Sequence, residues 1–308
     1  MAVGYEGVAY LDGQLCLCTA ASVPEGRTRL DSASGYGGTF GVDVSPGIFS
    51  PHTYDWSDFS GSLGFDVNQR IYDDKLKPMI YAREADFPIL YYPRYGTPQR
   101  FDECYMTSLS LAASEAASVA STLAFLPMQQ DTGQIKHDRY EENTDGYIYG
   151  KTDEMLPAGE IPALNPCGTS INPIPFWKTS LEFASSPSEW TVDGTGIVEV
   201  IDWTVTFGQD VTKFFGCFAT TPSSGIVNPV APSYVGIGPM TVTMDITVLI
   251  MDDILQNFEN LSTVTINIDG STLIVENLEL STSTDDLQTG AAVVPVSLSY
   301  NVYELAAA

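Results

Sequence analysis

The 308-residue sequence predicts a mainly β protein built as two tandem β domains. Composition points that way first. Sixteen Tyr, fourteen Phe and four Trp accompany frequent Val, Thr and Ser, while Leu/Glu/Lys/Ala-rich helical stretches are scarce. Apolar content of 44% suffices for a packed core. Period-two alternation, the mark of a half-buried strand, then recurs in segment after segment. Finally, two stretches answer each other. DFSGSLGFDV (58–67) and DWTVTFGQDV (202–211) share Asp58/Asp202, Gly64/Gly208, Asp66/Asp210 and Val67/Val211, and four further positions are conservative.

Taken in order, GVAYLDGQLCLC places two apolar runs around Asp12-Gly13, a dipeptide that tolerates the positive φ of a tight turn, and so predicts a hairpin. Residues 20–57, rich in Gly, Ser and Pro, predict a long loop or arm with one short strand. In 58–67, Phe59, Gly61, Leu63 and Phe65 share one face, opposite Ser60, Ser62 and Gly64. Residues 79–92 (MIYAREADFPILYY) read as further strand, with Pro88 at an edge or an end. In 105–126 an Ala-rich middle favours helix, but the alternating flanks SLSL and STLAFL favour two strands around a short helix or loop.

Residues 128–175 are polar and Pro-rich and read as a linker or arm. The predicted organisation is a first β domain with an N-terminal arm over 1–127, the linker over 128–175, and a second β domain over 176–308. The second opens with the strand FWKTSLEF. In 197–208, Ile201, Trp203, Val205 and Phe207 oppose Asp202, Thr204 and Thr206. In 240–251, Met240 through Ile250 alternate with Thr241, Thr243, Asp245 and Thr247. Asp252 or Asp253 then caps a short helix carrying Ile254, Phe258 and Leu261 at i, i+4 and i+7. VTINI-DG-STLIV is a second hairpin, and two closing strands flank a polar loop. The segment 108–126 also matches the run from Asn277: Leu109 and Leu111 meet Leu278 and Leu280, and Ser121, Leu123 and Phe125 meet Val296, Leu298 and Tyr300. Each match follows its copy of the first motif, so the two halves are expected to be duplicates.

Charge narrows the function classes. Thirty-nine acids against thirteen bases give a net −26, and after Lys213 the last 95 residues carry ten acids and no Lys or Arg. Such a surface repels nucleic-acid backbones and anionic membranes. Cys16, Cys18, Cys104, Cys167 and Cys217 are odd in number and without CxxC spacing, which predicts buried free thiols. The N-terminus lacks the basic and apolar regions of a signal peptide, and no run of eighteen apolar residues occurs, so a soluble chain made in a reducing cytoplasm is expected.

No catalytic constellation emerges, and the sequence predicts neither an enzyme nor a cofactor. His52 and His137 are too few for a His-rich metal site. ASGYGGTFG lacks the ending of a phosphate-binding loop. Asp252-Asp253 and Asp285-Asp286 read as a helix cap and a loop pair rather than paired catalytic carboxylates. GIVNPVAPSYVGIG (225–238) is apolar but loop-like. Val227, Pro229, Val230 and Tyr234 are therefore candidate contacts to another subunit.

The duplicated motifs, together with PMTVTMDITVLIMDDILQNFENLSTVTINIDGSTLIVENLELS and the closing VSLSYNVYEL, resemble the tail tube (major tail) proteins of long-tailed bacteriophages. The resemblance implies β-sandwich or partial-barrel domains with a short helix and long arms. It implies self-assembly into rings of three chains with pseudo-sixfold symmetry, or of six, stacked into a tube that joins other tail proteins and lies in the virion tail. DNA would pass through without specific binding and no membrane is involved. Asp58, Asp202, Asp245, Glu276 and Glu279 are candidate lumen acids. The arms 20–57, 128–175 and 221–238 would lock ring to ring. A receptor- or carbohydrate-binding β-sandwich protein of a virion or cell surface, and another tail component such as a terminator or hub protein, are the alternatives.

Overall fold

The computed structural model describes residues 7–12, 14–22, 28–29, 54–55, 60–82, 86–93, 99–127, 147–148, 156–157, 172–185, 198–214, 234–250, 258, 260–285 and 294–306. Strand accounts for 77% of them, and the architecture is a six-stranded barrel with further strands and a short helix, as the composition predicts. In chain order the strands are β1 (Gly7–Leu11), β2 (Gln14–Ser22), β3 (Thr28–Arg29), β4 (Tyr54–Asp55) and β5 (Gly61–Asp66). After them come β6 (Phe87–Pro93), β7 (Gln99–Ser114), β8 (Ala120–Pro127), β9 (Tyr147–Ile148) and β10 (Leu156–Pro157). The remainder are β11 (Thr179–Ser185), β12 (Val198–Phe214), β13 (Tyr234–Ile250), β14 (Leu261–Ile268), β15 (Ser271–Asp285) and β16 (Val294–Ala306).

The first six long strands close on themselves in the order β7-β6-β1-β2-β5-β8, with β8 returning to β7. The next six run β11-β14-β15-β16-β13-β12 and stay open between β11 and β12. The two units have the same connectivity. Matching β1, β2, β5, β6, β7 and β8 to β11, β12, β13, β14, β15 and β16 in turn reproduces every ladder but β1–β2. Two of the irregularities also coincide. The β2–β5 register shifts between Cys18 and Ala20, and β12–β13 shifts between Val200 and Asp202. The β7–β8 register shifts between Met106 and Ser108, and β15–β16 shifts between Leu280 and Thr282. Bulges re-aim a strand, so matched bulges mean matched backbone paths.

This frame corrects the sequence alignment. Ser121, Leu123 and Phe125 do occupy the places of Val296, Leu298 and Tyr300. The bulges, however, align Met106 with Leu280, so Leu109 and Leu111 do not meet Leu278 and Leu280. The stretch 58–67 is not the equivalent of 202–211 either. Its strand β5 lies between β2 and β8, which is the position of β13, whereas β12 has the position of β2. The two stretches resemble each other because both are sheet strands with one small, polar face.

Both expected hairpins are present. Leu11 pairs with Gln14 and Ile268 with Ser271, with positive φ at Asp12 (45°), Asp269 (50°) and Gly270 (96°). The Ala-rich segment is two strands around a turn, with Ala116 at φ 63°. Residues 79–81, read as strand, are instead the end of α1, which comprises Gln69–Ile71, a π turn Tyr72–Leu76, and Lys77–Tyr81. Asn68 caps it, its Oδ1 accepting from the Ile71 N–H at 3.0 Å. Pro78 has no N–H to give, and the wide turn just before it moves Leu76 and Ile80 onto the buried face with Ile71 and Tyr72. Phe176–Lys178 is a 3₁₀ turn, so the strand expected from Phe176 starts at Thr179. Of the expected helix 252–261, Phe258 is helical and buried and Leu261 already belongs to β14; Ile254 and the Asp252-Asp253 cap lie outside the described residues. The arm 20–57 contributes more strand than expected: β2 reaches Ser22, and β3 pairs with β4.

Buried apolar residues from both units form one cluster. α1 contributes Ile71, Tyr72, Leu76 and Ile80 to it. In the second unit the Phe258 ring meets Phe183 edge-on at 5.4 Å. Cys16, Cys18 and Cys104 are buried free thiols, and burial pushes the Cys16 thiol above the usual range. Cys167 and Cys217 lie outside the described residues.

Candidate functional site: an acid-bearing sheet face with an open edge

The two units are joined by one ladder, in which β12 from Asp202 to Gly208 pairs antiparallel with β7 from Ser114 to Ser108. It creates one antiparallel sheet that runs β2-β5-β8-β7-β12-β13-β16-β15 across both units. The strands β1, β6, β11 and β14 lie outside that run.

One face of this eight-stranded sheet packs on the core through Leu63, Phe65, Leu109, Leu123, Trp203, Val205, Met244, Ile246 and Leu298, all fully buried or nearly so. Alternation puts the other side chains on the opposite face. Register traces a row across it through Ala20, Gly64, Thr122, Ser110, Thr206, Thr243, Asn301 and Glu279. The next row is Asp66, Ala120, Ala112, Thr204, Asp245, Ser299 and Thr282. A third runs Ser114, Asp202, Thr247 and Ser297. The side chains in these rows are short, and the ionisable ones, Asp66, Asp202, Asp245 and Glu279, are all acids.

Three of these acids are held by hydroxyls. Ser299 donates to Asp245 at 2.5 Å, Ser118 to Asp66 at 2.9 Å, and Tyr303 to Glu279 at 2.5 Å. The hydrogen bond from Tyr303 to Glu279 and the nearby carboxylate charge raise the Tyr303 phenol above its ordinary range. The described ion pairs are elsewhere: Arg70–Asp74, Lys75–Asp12 and Lys178–Asp269.

The sequence-predicted residues divide accordingly. Asp202, Asp245 and Glu279 share the face. Glu276 does not. Asn277, at φ 54°, turns β15, and Glu276 falls on the preceding stretch, which pairs with β14 opposite Thr263. Asp58, Val227, Pro229 and Val230 lie outside the described residues, as do His52 and His137. Tyr234 is not in a loop, because it begins β13 and pairs with Phe214. Asp285 ends β15, so it is strand rather than loop, and Asp286 lies outside the described residues. Sequence reasoning missed Asp66, although it alternates with Ser62 and Gly64 in the motif already singled out.

The sheet has one open edge among the described residues, on β15. β1 pairs with β2 as far as Cys18. β14 covers one edge of β15 only as far as Glu276, which leaves Leu278–Asp285 unpaired on that side. No group of His, Cys, Asp and Glu among the described residues is placed to hold a metal ion, and no described helix is long and apolar enough to cross a membrane.

No protein-family model matches the chain, and no curated protein matches it in sequence.

Proposed function

We propose that the chain is the building block of a bacteriophage tail tube, a structural virion protein whose copies form stacked rings around a channel for DNA. The observation that carries this reading is the eight-stranded sheet with rows of short side chains whose charged members are all acids, and with an open strand, β15, at one end among the described residues. An open edge invites pairing with another chain, and closure into a ring removes it. On this reading the exposed face becomes the channel wall. Its carboxylates repel phosphate, and short side chains give DNA nothing to bind, so the duplex slides. Counterions screen the repulsion over about 10 Å at ordinary salt.

Strand arithmetic favours rings of three chains. At about 4.8 Å between strands and a tilt of about 40°, twenty-four strands close at a backbone diameter of about 50 Å. Side chains reduce that to a bore that admits a duplex without gripping it. Six chains double the strand number and give a bore of about 90 Å, too wide to guide DNA. The two units in each chain make the three-chain ring pseudo-sixfold. In each unit the second and third long strands form a ribbon, which in the second reaches Phe214–Tyr234. This reading assigns the segments at the ribbon tips to contacts between rings.

Negative-stain microscopy of the purified protein at high concentration tests the proposal. Tubes with a central channel are the expected result. A population that stops at single rings points to a terminator or hub component instead, and persistent monomers overturn the reading.

A further inference from the structure

We infer that Trp177 is the anchor on which one copy receives the projecting β12–β13 ribbon of a second copy, so that ring stacks on ring. The inference rests on the tube reading, which supplies the second copy; what it adds is the surface that meets the ribbon.

Trp177 is 76% exposed, yet the backbone that carries it is clamped on both sides. Before it, the Val119 N–H donates to the Ile174 carbonyl at 2.7 Å, and the Ile174 N–H donates to the Val67 carbonyl at 2.8 Å. The Phe176 N–H donates to the Ala117 carbonyl at 3.0 Å, and Pro175 forms a bridge with Ser118. After it, Thr179 begins β11, and its hydroxyl accepts from the Trp203 indole N–H at 3.3 Å. Phe176 packs against the core, and the 3₁₀ turn sends the next side chain outward. Lys178 Nζ lies 5.9 Å from the centroid of the Trp177 ring and is held by Asp269 at 2.9 Å. A large, rigid aromatic with polar neighbours is the arrangement found at the centre of protein–protein contacts.

The place of Trp177 in the sheet points to its occupant. Pro175 and Phe176 are bonded to the β7–β8 turn, which closes the wall at the end where Ser114 faces Asp202. From Asp202, β12 runs away from that end. Its ladder with β7 stops at Gly208, and the ladder of β13 with β16 stops at Val242. Beyond them, Val211–Phe214 and Tyr234–Ile237 continue as a two-stranded ribbon with no third strand among the described residues. Such a ribbon is marginal by itself in water. On it, Val211, Val235 and Ile237 are only half-buried. One end of the wall thus offers an exposed aromatic on a rigid base, and the other an apolar ribbon with half-exposed side chains. The two ends are unlike, so their contact is head-to-tail and repeats from copy to copy. Rings stacked with one polarity bring the ribbon end of each against the Trp177 end of the next.

The test compares the unmutated full chain with Trp177→Ala and Trp177→Phe, each checked for folding by thermal unfolding. Trp177→Ala is expected to raise the concentration at which tubes grow by about tenfold or more, while single rings still form. Trp177→Phe should fall between the two. A Trp177→Ala chain that forms tubes as readily as the unmutated one overturns the anchor and leaves the tube reading standing. A folded Trp177→Ala chain that loses rings as well as tubes places the residue within the ring and also overturns the inference. An unmutated chain that never forms tubes overturns the tube reading and the anchor with it. Two measurements do not depend on the alanine variant. Hydroxyl-radical labelling of Trp177, read by peptide mass spectrometry, should drop on assembly to the level of the buried Trp203, and unchanged labelling in tubes overturns the inference. A photo-cross-linking amino acid at position 177 should attach to 211–238 of a second copy, told from the same copy by mixing isotope-labelled and unlabelled protein. Attachment elsewhere overturns the ribbon as the occupant.

Discussion

Gly61 lies directly under the ring of Phe125. The two are register partners on β5 and β8, and a Cβ built on Gly61 would stand 2.8 Å from Phe125 Cε1. The ring is fully buried and packs against Phe101 at 5.7 Å between centroids. In the second unit the equivalent pair is Met244 and Tyr300, so the aromatic keeps its strand and a methionine stands where Gly61 does. Gly61→Ala is expected to destabilise the protein by about 1–3 kcal/mol through overpacking. Adding Phe125→Leu should recover part of that loss. Urea unfolding of the two single variants and the double variant measures the coupling, and strict additivity would show that the contact carries no strain.

The start of α1 depends on one side chain. Asn68 is 5% exposed, and its Oδ1 takes an N–H that the helix cannot satisfy itself. Asn68→Ala is expected to cost about 1 kcal/mol, and Asn68→Ser should retain most of the stability. Thermal unfolding of both variants checks this, and equal losses would remove capping as the cause.

Period-two alternation was enough to read β5, β12 and β13 from the sequence, and with them the inward side chains Leu63, Trp203 and Ile246. The same logic put Asp202, Asp245 and Glu279 on one face, because each lies on a regular strand. Alternation itself sets Glu276 with Leu278 and Leu280, opposite Glu279, so Glu276 enters the set only as an acid beside a polar face. The helix Gln69–Tyr81 was illegible for a different reason. Its buried residues follow a path that includes a π turn, and Pro78 argues against helix to any reader of propensities. The duplication was half legible. Leu123 and Phe125 were matched correctly to Leu298 and Tyr300 because their strands carry distinctive large residues. The strand β5 was matched to the wrong partner, because every strand of the wall shares the same small polar alternation. The open edge of β15 could not be read at all, since an unpaired edge is defined by which distant strands are absent from it.

Two buried phenols set an alkaline limit on stability. Tyr72 is fully buried and its hydroxyl has no partner among the described residues, while the Tyr300 hydroxyl donates to the Phe258 carbonyl at 2.8 Å. Burial raises both phenols well above the ordinary range for Tyr. The folded state therefore favours the protonated form. The stability this contributes is fully present below the unfolded pKa of about 10, and is lost as pH rises beyond it. Urea midpoints are expected to fall above about pH 10, and the fall should be smaller in Tyr72→Phe/Tyr300→Phe. At neutral pH the two substitutions should differ. Tyr300→Phe leaves a buried carbonyl without its donor and should cost about 1 kcal/mol, whereas Tyr72→Phe removes an unpaired hydroxyl and should be neutral or stabilising. An alkaline slope unchanged in the double variant would assign the transition to other groups.

The wall acids separate assembly from DNA handling. Asp245 is exposed and Asp202 half-buried on the face away from the core, so replacing them should perturb folding little, within about 0.5 kcal/mol for the exposed site. Neither takes part in the described ion pairs, so no described cation is left stranded. On the tube reading, Asp202→Lys/Asp245→Lys changes the sign of the charge facing the channel and leaves the strand edges untouched. Tubes should still form, but they should now retain duplex DNA. Retention should weaken steeply with salt, because each phosphate neutralised contributes a slope of about −0.9 in log affinity against log salt. Sedimentation of assembled protein with labelled DNA at two salt concentrations reads this directly, and Asp202→Asn/Asp245→Asn separates loss of repulsion from gain of attraction. Tubes of the lysine variant that leave DNA in the supernatant at low salt would place these acids away from the channel.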